Sequence, residues 1–181
     1  MQITYNPDLI LTQEHTDAQV QNFTGSFCGF VLLHGDYDLH ALAKRLQNKY
    51  DIIAAEDEGF SDEFGQDLML SVPGALVTIS FIDEAIPEGE AEAAAINAVW
   101  PDAQVAVCQH TAHLMIAVLP DTMQALDAGR VYCTILSAAL EDDAALAVYT
   151  SGTILEPKQV QQHMAEAGDG LPFDNLICVG T

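Results

Sequence analysis

The sequence predicts an α+β fold with a mixed, mainly antiparallel sheet that is covered by about four helices. Three observations predict this class. Apolar residues make up 50% of the 181 residues, which is enough for a substantial core. Segments with strand character alternate with segments of helical periodicity along the chain. Two hairpin-like joints interrupt that alternation, and a purely parallel sheet would lack them because parallel strands need longer crossovers.

The chain begins with a polar, aperiodic stretch over residues 1–24, which we interpret as a lead-in to a single domain over residues 25–181. The apolar run from Phe27 to Leu33 is typical of a buried strand. Asp38 predicts an N-cap, and apolar side chains then recur at helical spacing as far as Tyr50.

Residues 51–66 begin with a short apolar pair and are otherwise acidic, so they predict a solvated loop. A hairpin over residues 68–82 is predicted to turn at Pro73 and Gly74. Proline presets φ at the first central position of a turn, and glycine permits a positive φ at the second.

The next predicted helix starts near Pro87 and ends at Trp100, because the residue before Pro101 disfavours the helical conformation. One face of this helix consists of alanines, which predicts close packing on the sheet. We expect Trp100 to fill one end of the core, since a side chain of its size buries roughly 150–250 Å².

Residues 104–119 predict one long strand, or two short strands broken near residues 109–111, because they are rich in valine and small apolar residues. The later predicted elements are a helix over residues 122–140, a strand over residues 144–150, a helix over residues 157–167 and a last strand over residues 176–179.

The charge balance excludes several classes of function. The chain has 27 acidic and 5 basic residues, a formal net charge of −22. It cannot neutralise phosphates, so no nucleic-acid binding is expected, and an anionic membrane surface would repel it. No run of 18 apolar residues occurs, and Met1 to Ile10 lacks the basic region of a signal peptide. We therefore expect a cytoplasmic protein.

The density of acidic residues exceeds the net charge of magnitude ~2–8 that suffices for solubility, which favours a salt-rich habitat or a basic protein as partner. The acidic residues fall into blocks, and two of these blocks contain the candidate partner-binding residues: Glu56, Asp57, Glu58, Asp62, Glu63, Glu88, Glu90 and Glu92.

His110 and His113 form the most conspicuous pair of candidate metal-binding or catalytic residues. On one helix face they could share a metal ion with Glu88 or Glu92, but the flanking sequence predicts a strand, where positions three apart point to opposite faces. No HExxH motif occurs and no third ligand is marked by spacing. We predict no metal and no cofactor, and keep an enzyme centred on this pair as an alternative.

Other catalytic patterns are missing from the sequence. No serine lies in GxSxG, and no glycine-rich phosphate loop occurs. The thiols of Cys28, Cys108, Cys133 and Cys178 have no CxxC spacing and sit among apolar neighbours, so we expect buried free cysteines. A Cys108–His110 dyad would lack an activating cation. No catalytic residue is predicted.

Seven short segments after Gly29 form a recognisable combination when they are taken in order. They are residues 72–80, Ala85-Ile86-Pro87, Glu90-Ala91-Glu92, residues 95–101, His110-x-x-His113, residues 144–149 and Gly170-Leu171-Pro172. Together they resemble an uncharacterised bacterial family, the domain of unknown function 4261, over most of the chain after Gly29. The resemblance implies a cytoplasmic bacterial α/β domain, names no catalytic residues, and implies that this chain is short at its C-terminus relative to the family.

The hypothesis that follows is a non-enzymatic acidic binding protein, for example an immunity-type inhibitor of a cationic toxin. It rests on the charge and on the missing catalytic motifs. Two alternatives remain at this point: a metal-dependent or hydrolytic enzyme centred on His110 and His113, and a structural or regulatory homo-oligomeric module.

Overall fold

The structure, a computed structural model, describes residues 25–55, 66–87, 89–96, 98–168 and 170. Within these residues the chain forms five helices and a seven-stranded sheet in which every neighbouring pair of strands is antiparallel. The α+β prediction is confirmed. The lead-in over residues 1–24 and the strand expected over residues 176–179 lie outside the described residues.

The strands are β1 (Phe27–Leu33), β2 (Ile53–Ala54), β3 (Asp67–Val72), β4 (Ala75–Ile82), β5 (Ala112–Pro120), β6 (Ala145–Thr150) and β7 (Thr153–Leu155). The helices are α1 (Leu39–Tyr50), α2 (Glu90–Ile96), α3 (Ala103–Gln109), α4 (Ala125–Ala139) and α5 (Pro157–Ala167). Across the sheet the strands follow the order β2-β3-β4-β5-β1-β6-β7, with β1 near the centre.

Helices cover both faces of the sheet, because alternate residues of the central strands are apolar on each side. Val31 and Leu33 of β1 belong to a large core beneath α1, α4 and α5, which we call the first layer. Leu32 points the other way, into a smaller core with the alanines of α2 and α3, which we call the second layer. The second layer contacts β6 and β7.

The hairpin predicted at Pro73 and Gly74 is confirmed, since β3 pairs with β4 and Gly74 has a φ of +78°. The carbonyl of Gly74 accepts hydrogen bonds from the backbone N–H groups of Asp121, Thr122 and Met123 at 2.8–3.1 Å. These three residues therefore form a turn around the hairpin, and α4 begins at Ala125 rather than at the predicted Thr122.

Gly29 lies where two structural elements approach closely. A Cβ atom at this position would be 2.0 Å from the Tyr132 hydroxyl and 3.1 Å from the Thr150 side chain. The Tyr132 hydroxyl shares a hydrogen bond of 3.1 Å with Thr150 Oγ1, and Tyr132 is buried. The missing side chain of Gly29 thus lets α4 pack against β1 with this tyrosine between them.

In the middle of the chain one predicted element was wrong, and another is present but shorter than predicted. Residues 103–109 form helix α3 rather than part of a strand, because Ala103, Ala106 and Val107 are buried at helical spacing. Helix α2 covers only residues 90–96, since Gly89 before it has a φ of +103°, outside the helical region. The alanines of α2 are buried as predicted, and Trp100 is half-buried against the second-layer core.

The cysteine prediction was right for only one described residue. Cys133 is buried, whereas Cys28 and Cys108 are exposed, because one lies at the start of β1 and the other on the outer face of α3. Cys178 lies outside the described residues. Among the described residues, no helix has the length and apolar character required to cross a membrane.

Candidate functional site

His110 occupies the C-cap of α3 and uses both ring nitrogens on backbone groups. Its Nε2 accepts a hydrogen bond from the backbone N–H of Ile86 at 3.0 Å. Its Nδ1 donates to the carbonyl of Val107, which assigns the neutral tautomer with the proton on Nδ1. The lone pair that a metal would need is already engaged.

His113 lies in β5 and binds the same connecting segment. Its Nδ1 donates to the carbonyl of Glu84 at 2.7 Å, and its ring stands edge-on to Phe30 with centroids 5.6 Å apart. Burial lowers the pKa of the His113 imidazole below its ordinary value. Both histidines therefore hold the segment between β4 and α2 by its main chain.

The histidine pair is consequently a structural clamp in this fold. The spacing of three residues spans the end of a helix and the start of a strand, so the two rings reach the segment from different elements. Within the part of the chain that the structure describes, no three His, Cys, Asp or Glu side chains are grouped closely enough to hold a metal ion. Glu92 does not join the histidines in such a group, and Glu88 lies outside the described residues.

The candidate acidic residues are described only in part. Glu90 and Glu92 are exposed in the first turn of α2, where carboxylates interact favourably with the helix dipole. Glu92 Oε2 also accepts a hydrogen bond from the Gly89 N–H at 3.1 Å, one half of a capping box. The others, Glu56, Asp57, Glu58, Asp62, Glu63 and Glu88, lie outside the described residues.

The basic residues of the chain are segregated from the second layer. Every Lys and Arg of the chain lies on a helix of the first layer: Lys44, Arg45 and Lys49 on α1, Arg130 on α4 and Lys158 on α5. Three of them form ion pairs there. Arg45 and Lys49 pair with Glu141, and Arg130 pairs with Asp127 at 3.0 Å. The second layer carries acidic side chains and no Lys or Arg.

A cleft of about 230 Å³ opens between α2 and α3 on this side of the molecule, and apolar atoms form most of its surface. Its lining residues are Glu92, Ala95, Ile96, Gln104, Val107 and Cys108. Around it, Ile96 is 68% exposed and Val105 is 55% exposed. Two short helices thus present aliphatic side chains to solvent beside a group of carboxylates.

Sequence reasoning missed the α3 side of this cleft. Residues 104–109 were expected to be a strand, so Gln104, Val105 and Cys108 were not expected to share an outer face with α2. The signal that could have found them is the helical spacing of Ala103, Ala106 and Val107, which competes with the alternation of Val105 and Val107.

Comparison with protein-family models, with curated proteins and with solved structures found no match to this chain. The resemblance to the domain of unknown function 4261 therefore stays a prediction.

Proposed function

We propose that the protein is a non-enzymatic acidic binding protein that captures a basic protein, as an immunity-type inhibitor captures a cationic toxin in the bacterial cytoplasm. One observation carries the proposal. All five basic side chains lie in the first layer, which leaves the second layer with carboxylates alone. A surface of one charge sign accelerates association with a partner of the opposite sign.

The carboxylates of the second layer are placed to attract a cationic partner before the two surfaces meet. Glu90 and Asp102 are exposed at the starts of α2 and α3, with no Lys or Arg between residues 50 and 129 to neutralise them. Exposed charges at the rim of an interface act mainly on the association rate and its salt dependence. The proposal therefore predicts a rate effect that weakens as salt is added.

The test measures association with a lysine-rich peptide by stopped-flow fluorescence across a salt series, with a glutamate-rich peptide of equal length as the negative control. Neutralising the second layer with Glu90→Gln and Asp102→Asn should slow association by ~2-fold or more at low salt, and the difference should fade as the Debye length shrinks. The matched control is Asp143→Asn with Glu166→Gln, which changes the net charge equally but lies outside the second layer. Equal slowing by both double variants, or no association with the lysine-rich peptide, would contradict the proposal.

A further inference from the structure

The α2–α3 cleft has the size of a pocket for one large side chain. Its volume is about 230 Å³, and a cavity of about 150 Å³ lined by aliphatic residues already accommodates benzene. Ala95 and Val107 are almost fully buried at its base, and Ile96 forms an exposed wall. An aliphatic or aromatic side chain would find apolar contacts there.

The walls of the cleft indicate the conformation of the segment that would fit. Both walls are helices, and a helix has no straight row of unpaired N–H and C=O groups of the kind that a sheet edge offers. An extended peptide would find no strand edge there to pair with, whereas an amphipathic helix binds through its side chains alone. The cleft therefore favours a helical partner segment.

The charges around the cleft indicate the composition of that segment. Glu92 lies on the cleft wall, and Asp102 immediately precedes α3. Helix α3 itself has no charged residue. A segment with lysines or arginines beside an apolar stripe would place its cations next to these carboxylates and its apolar residues over Ile96 and Val105.

We infer that the α2–α3 cleft is the docking site for a basic amphipathic helix, which inserts one large apolar side chain between Ala95 and Val107. The inference rests on the proposed function and deepens it by naming the site and the kind of segment that binds. Exposed Ile96 supplies the wall against which the inserted side chain packs, and Glu92 lies beside the flanking cations.

The probe is a synthetic helical peptide of leucine and lysine with its leucines at i, i+3, i+4 and i+7. Its control is a scrambled peptide of the same composition, in which the charge is kept and the stripe is lost. The amphipathic peptide should bind the wild-type protein about tenfold more tightly than the scrambled one, which corresponds to one buried aliphatic anchor. Ile96→Ser should remove that advantage, whereas Leu126→Ser, at a comparably exposed leucine on α4, should leave it unchanged.

The chain also contains an internal reporter. Cys108 lines the cleft and Cys28 does not, and both thiols are exposed. Bound amphipathic peptide should slow maleimide labelling of Cys108 severalfold and leave the labelling of Cys28 unchanged, as measured by peptide mass spectrometry. Equal labelling of Cys108 with and without bound peptide would overturn the inference.

The outcomes separate the inference from the proposed function. If amphipathic and scrambled peptides bind equally and both respond to salt, charge-driven capture stands and the cleft is not the site. If an acidic amphipathic peptide binds as well as the basic one, the chemistry assigned to the partner is wrong. If no basic peptide binds even at low salt, the proposed function fails together with the inference.

Discussion

His110 and Ile86 are joined by a hydrogen bond of 3.0 Å in which the imidazole Nε2 accepts from a buried residue's backbone N–H. The other nitrogen of the same ring donates to Val107 at the end of α3. One neutral ring therefore connects α3 with the segment that leads into α2. The two walls of the cleft are held together by this imidazole as well as by their alanine packing.

Replacing His110 by phenylalanine should destabilise the protein by ~1–3 kcal/mol, because the buried N–H of Ile86 loses its acceptor while ring volume is kept. Urea unfolding followed by circular dichroism measures the change. His34→Phe is the control, since His34 is exposed and should change the free energy of unfolding little. A His110→Phe protein as stable as the wild type would show that the hydrogen bond contributes nothing.

His113 should make stability depend on pH. Burial lowers its pKa in the folded state, so the unfolded chain takes up the proton first as the pH falls. Its contribution is then complete above the unfolded pKa of about 6.5 and declines as the pH falls through that value toward the folded pKa. The ionisable groups that act on the ring are the Glu84 carboxylate and His110.

The matching variant is His113→Gln, which keeps a donor for the Glu84 carbonyl and does not titrate. Between about pH 5 and 8 the wild type should lose more stability on acidification than this variant, by at most about 1.4 kcal/mol per pH unit for one proton. Identical pH profiles of stability for the two proteins would show that His113 does not cause the pH dependence.

Gly29→Ala should be strongly destabilising, because the new Cβ would overlap the Tyr132 hydroxyl. Overpacking of this kind costs ~1–3 kcal/mol or more. In a Tyr132→Phe background the same change should cost less, since the clashing oxygen is gone. A double-mutant cycle should therefore yield a coupling of ~0.5–3 kcal/mol, and additive effects would contradict a close contact between Gly29 and the Tyr132 hydroxyl.

Trp100 and Val99 are adjacent residues whose truncation should change stability by different amounts. Trp100 is half-buried against the second-layer core, so Trp100→Ala should lower stability by less than the ~3–5 kcal/mol lost at a fully buried aromatic residue. Val99 is 96% exposed, so Val99→Ala should stay within ~0.5 kcal/mol of the wild type. A Trp100→Ala protein that melts like the wild type would show that the ring contributes no packing.

Helix α1 shows what local signals can predict. Asp38 is the N-cap, with its Oδ1 accepting from the Ala41 N–H at 3.0 Å, and Leu39, Leu42 and Leu46 are buried at the predicted spacing. The cap, the apolar period and the helix end all lie within the same short segment. Helices of this kind, and the hairpin at Gly74, can be predicted because the residues that determine them lie close together in the sequence.

The histidine clamp and helix α3 show where local signals fail. The partner of His110 is a main-chain group 24 residues away, and no side chain in the sequence marks it. In α3 the alternation of Val105 and Val107 competes with the helical spacing of Ala103 and Ala106, and burial against the sheet decides in favour of the helix. The cleft was therefore hidden from sequence analysis, whereas the charge that surrounds it was visible.

The segregation of the basic residues also makes the two faces of the sheet differ in the partners that they repel. The helices of the first layer carry amino and guanidinium groups among their carboxylates, so an approaching chain of either sign meets some groups of opposite charge there. The second layer has no Lys or Arg, so an acidic chain meets only like charge on that side. Exclusion of acidic competitors is therefore a property of one face of the sheet and not of the whole surface.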